Sequence, residues 1–258
     1  MFLDTLPGLN KVFETDIPEG MVILVTGGPG TLKSAFVYNI MSAYLDNNKK
    51  EFGSYVTLEE TKKSHMRNMK SLNIKMQKRL KVADLASFRS SIGYEDLDYL
   101  ALVKSRALKK ARINPKKQEE KSFEFDSLVG TDEAKDNDVA DDGRFKSPRC
   151  FGLDSLNALY SLMNITGKEI RQEMLKFFQL LKDSGLTSFI LLETGPDETY
   201  KDEYFLVEGI IELGIKETAG QHRRYLKVKK MRATKHKLEP YVIDLTKSGI
   251  RIVGEVQE

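Results

Sequence analysis

Apolar residues in this chain fall into two alternating textures. Largely apolar runs without regular alternation occur at Met21-Val22-Ile23-Leu24-Val25, at Phe52–Leu58, at Arg149–Asp154 and at Thr187–Leu192. Runs without a polar residue at every second position predict strands buried on both faces. Between them, apolar residues recur at helical spacing: Phe36, Val37, Ile40, Met41 and Tyr44, then Met66, Met69 and Leu72, then Ile170, Met174, Phe177, Phe178 and Leu181. Thr166 with Glu169 predicts a capping box for the last of these helices, and Gly185 its stop. Lys81–Leu85 predicts a further short strand. Strands alternating with helices specify an α/β fold with a mostly parallel sheet flanked by helices.

The remaining stretches break this rhythm. Residues 1–20 form a turn-rich lead-in, with Leu6-Pro7-Gly8-Leu9-Asn10 and Ile17-Pro18-Glu19-Gly20. In the last fifth, Tyr204–Leu213, Arg223–Met231, Pro240–Leu245 and Ile250–Val253 follow closely without intervening helices. They predict an antiparallel C-terminal extension on one edge of the sheet. In the middle, Leu97, Leu100, Ala101, Val103 and Leu108 predict one amphipathic helix, broken at Asn114-Pro115. Residues 113–147 are dominated by charge and predict a flexible surface excursion rather than a second domain. No repeat of solenoid period is present, and residues 1–258 are read as a single domain.

Composition narrows the class. A hydrophobic fraction of 40% and a charged fraction of 31% describe a globular protein with a sizeable core. A net charge of +3 does not demand nucleic acid, although it permits a local basic patch. The single cysteine, Cys150, excludes an internal disulfide and, sitting in an apolar run, reads as an inert buried thiol. With no apolar stretch near 18 residues and no secretory leader, a cytoplasmic protein without membrane contact is expected.

The chemistry concentrates after the first strand. Gly27-Gly28-Pro29-Gly30-Thr31-Leu32-Lys33-Ser34 stands between a buried strand and a helix, the context of a phosphate-binding loop. Gly28, Gly30, Thr31 and Leu32 would present backbone N–H groups to phosphate oxygens, while Pro29, which has no N–H, would shape the turn around them. Lys33 would reach the β- and γ-phosphates of ATP, and Ser34 would offer a hydroxyl to Mg²⁺. Leu32 departs from the usual glycine, so its backbone must adopt a conformation that glycine reaches more cheaply. Asp154, at the end of a downstream apolar strand, is the candidate for ordering the metal; the alternative is a cap on the following turn. Glu59-Glu60 ends the strand after the loop helix. One of the pair could position water for in-line attack while the other supports it or binds Mg²⁺; alternatively, both favour a helix N-terminus. Near the C-terminus, Arg223, Arg224, Lys227, Lys229, Lys230, Arg232, Lys235 and Lys237 form a dense basic run. It admits nucleic-acid contact, cationic fingers reaching a neighbour's nucleotide (Lys230 and Arg232), or a solvated strand face. His65, His222 and His236 make no metal-ligand spacing.

Together, these residues resemble KaiC-type ATPases of the RecA superfamily. The resemblance rests on Leu6–Asn10, Ile17–Gly20, the loop Gly27–Ser34, the Glu59-Glu60 pair, Asp154-Ser155 and the ending Lys230-Met231-Arg232-Ala233-Thr234-Lys235-His236. It implies a RecA-like core, with ATP and Mg²⁺ held at subunit boundaries of a homo-oligomer, often a hexameric ring. It further implies that Glu59 and Glu60 match the catalytic carboxylates and that Lys230 and Arg232 act in trans. Where clock-type members carry phosphoacceptor hydroxyls, this chain has Asp202-Glu203-Tyr204, so autokinase activity is not expected. The expectation is an Mg-ATP-binding, slowly hydrolysing ATPase with a regulatory role that admits a protein partner. The alternatives are a DNA-binding, RadA-like recombinase paralogue and a non-hydrolysing ATP-dependent switch.

Overall fold

The described residues of the computed structural model are 1–85, 148–163, 168–195, 203–218 and 220–257. The helix expected around 97–108, the excursion at 113–147 and Thr166 lie outside them. The elements are β1 (Val22–Gly27), α1 (Lys33–Asn47), β2 (Gly53–Thr57), α2 (Lys62–Ser71), β3 (Leu80–Asp84) and β4 (Cys150–Asp154). They continue with α3 (Leu156–Met163), α4 (Lys168–Asp183), β5 (Thr187–Glu193), α5 (Glu203–Leu206), β6 (Gly209–Thr218), β7 (Gln221–Met231), β8 (Tyr241–Thr246) and β9 (Gly249–Glu255).

Among the described residues nine strands form one sheet in the order β3-β2-β4-β5-β1-β6-β7-β8-β9. The first six in that order run parallel, and β7, β8 and β9 add on antiparallel, as the apolar runs and the helix-free tail predict. The largely apolar runs are explained by two hydrophobic layers. On β1, Ile23 and Val25 face a layer containing Phe36, Val37, Ile40 and Met41 of α1. Val22 and Leu24 face the opposite layer, with Phe177, Phe178 and Leu181 of α4. Alternate side chains therefore enter different cores, and these strands lack the regular polar alternation of a sheet with one wet face.

Two expectations are corrected. Tyr204–Leu213 is not one strand: Glu203–Leu206 is a helical turn and β6 begins at Gly209. The turn is held because Lys230 Nζ donates to the carbonyls of Tyr204 (2.9 Å) and Val207 (2.6 Å), groups that a strand would have offered to a neighbouring strand. The lead-in is also more than an approach to β1. Phe2, Leu6, Leu9, Val12, Phe13 and Ile17 are all buried in the α1-side core. Phe2 stacks on Tyr44 with ring centroids 4.3 Å apart and meets Phe189 edge-on. The Pro7 carbonyl accepts from Ile252 N at 2.9 Å, tying the lead-in to β9. Among the described residues no helix is long and apolar enough to cross a membrane.

Phe2 is therefore a core residue despite standing second in the chain. Phe2→Ala should lower unfolding free energy by about 3–5 kcal/mol in a urea titration; a change below about 1 kcal/mol would show that the lead-in is not part of the core.

Candidate functional site

Parallel strands end together, and their last residues make one edge. Gly27 closes β1, the Glu59-Glu60 pair follows β2, Asp154 closes β4 and Glu193 closes β5. They gather around a cavity of about 330 Å³ lined by Pro29, Gly30, Lys33, Ser34, Asp154 and Ser155, among others. Polar ligands of open α/β sheets bind at this carboxyl edge.

The loop between β1 and α1 is shaped by its backbone. Gly27 has φ 148°, and a Cβ there would lie 2.0 Å from the Leu213 carbonyl oxygen, so no side chain fits. Thr31 Oγ1 donates to the Gly28 carbonyl at 2.8 Å and closes the turn. Leu32 has φ 72° and ψ 27°, left-handed geometry at the N-cap of α1, as its place in the motif predicts. Its side chain packs, partly buried, against the α1-side core, and the residue also borders the cavity. An L-residue pays roughly 1–2 kcal/mol for that conformation. Lys33 Nζ donates to the Gly28 carbonyl at 2.9 Å. Burial pushes this ammonium's pKa down, against the opposing pull of Glu193, Asp154 and Glu59. A cation facing three carboxylates marks a centre where negative and positive charge are meant to be balanced by something more.

Asp154 is 5% exposed. Tyr55 donates to its Oδ2 at 2.8 Å, and the Ser34 hydroxyl hydrogen-bonds the same carboxyl. Burial raises the Asp154 pKa above the ordinary carboxylate range, with the Ser34 and Tyr55 hydrogen bonds working against it. The same desolvation, reinforced by the Asp154 charge, raises the Tyr55 hydroxyl.

The two glutamates stand beyond the end of β2, where the strand's alternation no longer separates them, and they face different partners. Glu59 is exposed and accepts a short hydrogen bond from Ser155 Oγ. Glu60 turns to α2, accepting from Asn68 Nδ2 at 2.9 Å and meeting His65 Nδ1 at 3.0 Å. Thr61, not either glutamate, caps α2, its side chain accepting from Ser64 N at 3.2 Å. Both glutamates border the cavity; Glu59 is the more exposed and is held at one oxygen, whereas Glu60 is held at both.

The basic run disperses. Lys229 pairs with Glu212, Arg223 donates to Gln221 at 2.9 Å and Lys237 pairs with Glu14 at 3.3 Å. Arg224 Nε donates to the Gly30 carbonyl at 2.9 Å, so the β6–β7 hairpin touches the glycine loop. Lys230 and Arg232 lie elsewhere. β6 enters beside the start of β1, with Gly209 opposite Ile23, and Met231 of β7 pairs with Gly209. The end of β7 is therefore at the amino edge of the parallel sheet, about four strand residues or ~13 Å from Gly27. Lys230 is engaged with the α5 carbonyls, whereas Arg232 is exposed and its side chain makes no hydrogen bond or ion pair among the described residues.

Sequence reading did not single out Tyr55, His65, Asn68 or Glu193, and it noted Ser155 only as Asp154's neighbour. Glu193 was within reach, since it ends an apolar strand as Asp154 does. The others depend on which elements pack together. Cys150 is buried, and burial raises its thiol pKa, in keeping with an inert role.

A model of the family described as "ATPase: KaiC" matches residues 4–257. The chain belongs to the KaiC ATPase family. A UPF0273 protein of Methanopyrus kandleri is 28% identical over 255 residues, covering 97% of this chain and 90% of that protein. A UPF0273 protein of Thermotoga maritima is 25% identical over 270 residues, covering 96% and 93%. The crystal structure of a KaiC-like protein of Pyrococcus horikoshii superposes with a TM-score of 0.67 at 21% identity, covering 96% of both chains. The fold is accordingly the RecA-like α/β core of KaiC-type proteins, and the chain carries a nucleotide-binding ATPase domain.

Asp154 also sets a stability prediction. Its pKa is raised on folding, so its favourable contribution is complete below the unfolded value of about 3.9 and is lost as pH rises through the folded pKa. Without nucleotide or metal, Asp154→Asn should therefore raise Tm near neutral pH. The gain should shrink as the pH falls towards the ordinary carboxylate range. A Tm lowered by the substitution at neutral pH would contradict this reading of the burial.

Proposed function

We propose that this KaiC-family chain binds Mg-ATP at the carboxyl edge and hydrolyses it slowly, working as a homo-oligomer in a regulatory role. The observation that carries the reading is the meeting of Lys33, Ser34, Glu59, Asp154 and Glu193 around one cavity, contributed by β1, β2, β4 and β5. Gly28–Ser34 receive the phosphates. The donor set suits Mg²⁺: a buried aspartate hydrogen-bonded to a serine hydroxyl offers hard oxygens. Among the described residues no group of three or more His, Cys, Asp or Glu could hold a metal alone, but an ion arriving with nucleotide needs only one or two protein oxygens. Bound there, Mg²⁺ would supply neutralisation of charge on the phosphate oxygens.

Glu59 is placed to orient and deprotonate water, because it is the more exposed of the pair at the cavity, and Glu60, held at both oxygens, supports it. Lys33 neutralises charge on the transferred group. Lys230 and Arg232 complete a neighbour's site, a role supported by their distance from the loop of their own chain. Arg232 is ready to reach out, whereas Lys230 would first leave the α5 carbonyls. The DNA-binding reading draws less support, since Lys229, Lys230 and Arg224 have partners within the chain.

ATP turnover, measured against Lys33→Ala with oligomer size recorded alongside, tests the whole reading. Glu59→Gln should cut kcat by roughly 10²-fold while ATP binding persists. Arg232→Ala should abolish the rise in turnover per subunit on assembly. Activity unchanged in both variants would reject these assignments.

The strained loop gives a separate expectation. Leu32→Gly relieves the left-handed backbone and removes no polar group and no backbone N–H, so ATP affinity by calorimetry should be retained and hydrolysis should be as fast or faster. Loss of ATP binding would mean that the Leu32 side chain holds the loop together.

A further inference from the structure

His65 is fully buried and makes one polar contact, its Nδ1 lying 3.0 Å from Glu60 Oε1. Nε2 is equally buried and has no hydrogen-bond partner. Burial lowers the ring's pKa, against the pull of Glu60, so the ring is neutral and the contact is an Nδ1–H donated to a carboxylate rather than an ion pair. One turn further along α2, Asn68 donates to the other oxygen of Glu60. Thr57 Oγ1 also accepts from Glu60 N at 3.3 Å. Glu60 is thus fixed through its backbone and both carboxylate oxygens.

The imidazole has a firm backing. It stacks on Tyr55, with centroids 4.6 Å apart and planes 29° from parallel, and meets Tyr38 edge-on at 5.3 Å. Tyr55 is the residue that donates to Asp154 Oδ2. A single buried ring pair therefore stands between two acids of the site, one on the water side and one on the metal side. Stability alone does not account for a histidine here. A leucine would fill similar room and leave no buried nitrogen unsatisfied.

We propose that His65 is a positioning residue for hydrolysis: it orients the Glu60 carboxylate and, through its stack on Tyr55, keeps that carboxylate in register with Asp154. This rests on the ATPase reading above. His65 touches no substrate and acts only through Glu60. Its loss should therefore lower the rate of the chemical step while leaving nucleotide binding in place.

The experiment compares wild type, His65→Leu, His65→Asn and Lys33→Ala in steady-state MgATP hydrolysis and in thermal unfolding. Asn places its amide nitrogen where Nδ1 stands but leaves a void, whereas Leu fills the void and supplies no donor. Expected for His65→Leu are a kcat lowered roughly 10-fold or more, a KM within about threefold of wild type and a Tm unchanged or raised. His65→Asn should be the less stable of the two yet the faster. Opposite orders of Tm and kcat would establish positioning. A kcat that follows Tm, or a His65→Leu enzyme as fast as wild type, would overturn it. Wild-type turnover no greater than that of Lys33→Ala would instead reject the ATPase reading, and the positioning role with it.

Discussion

The sheet's double burial governs where this protein can keep polar chemistry. Every residue of β1, and all but the last of β5, is buried, the apolar ones in one hydrophobic layer or the other. Charge is therefore admitted only where the strands stop. Because the strands run parallel, they stop on a common edge, and residues far apart in sequence arrive there together. Tyr55 reaches Asp154 across 99 positions of chain, and Ser155 reaches Glu59 across 96. The glycine loop needs no further device to find its acids; they are delivered by the register of the strands.

The loop itself shows what such placement costs. Leu32 holds a backbone conformation that would suit glycine, while its side chain joins the core. Lys33 and Asp154 are both buried enough for burial to oppose their charges, which Glu193, Asp154 and Glu59 offset in part for the lysine and hydrogen bonds from Ser34 and Tyr55 for the aspartate. Groups in this condition are poor contributors to stability and good receivers of a charged ligand. A polyanion with its metal supplies the charges that would make the arrangement favourable.

Much of this was legible in the chain. Largely apolar runs gave away the parallel strands because burial on both faces leaves no alternation to read. Glycine, lysine and serine at fixed offsets gave away the loop because few backbones need that order. The strained position was legible too, since Leu32 occupies a slot defined by its neighbours. The failures have equally physical sources. Tyr204–Leu206 is apolar enough for a strand, but the turn there is stabilised by a lysine 24 residues beyond Leu206 that local pattern cannot anticipate. Phe2 and Leu6 looked like a lead-in because turns punctuate them, although the burial of their side chains is decided by α1 and β5. His65 gave no signal at all: a lone histidine among lysines acquires meaning only when α2 lays it across Tyr55.

The opposite ends of β1 carry a last consequence. The glycine loop occupies one end and the exposed Arg232 the other. If that arginine serves a neighbour, the surface giving help and the surface receiving it are different patches of the molecule. A twofold pair could serve both sites only if each chain's Arg232 met the other's loop at once, which asks both ends of β1 to lie in a single interface. A head-to-tail association asks for no such coincidence, each subunit being donor to one side and acceptor to the other. Such an arrangement has a direction around it. It leaves no subunit unserved only when the last member returns to the first, so closure itself would become a condition for full activity.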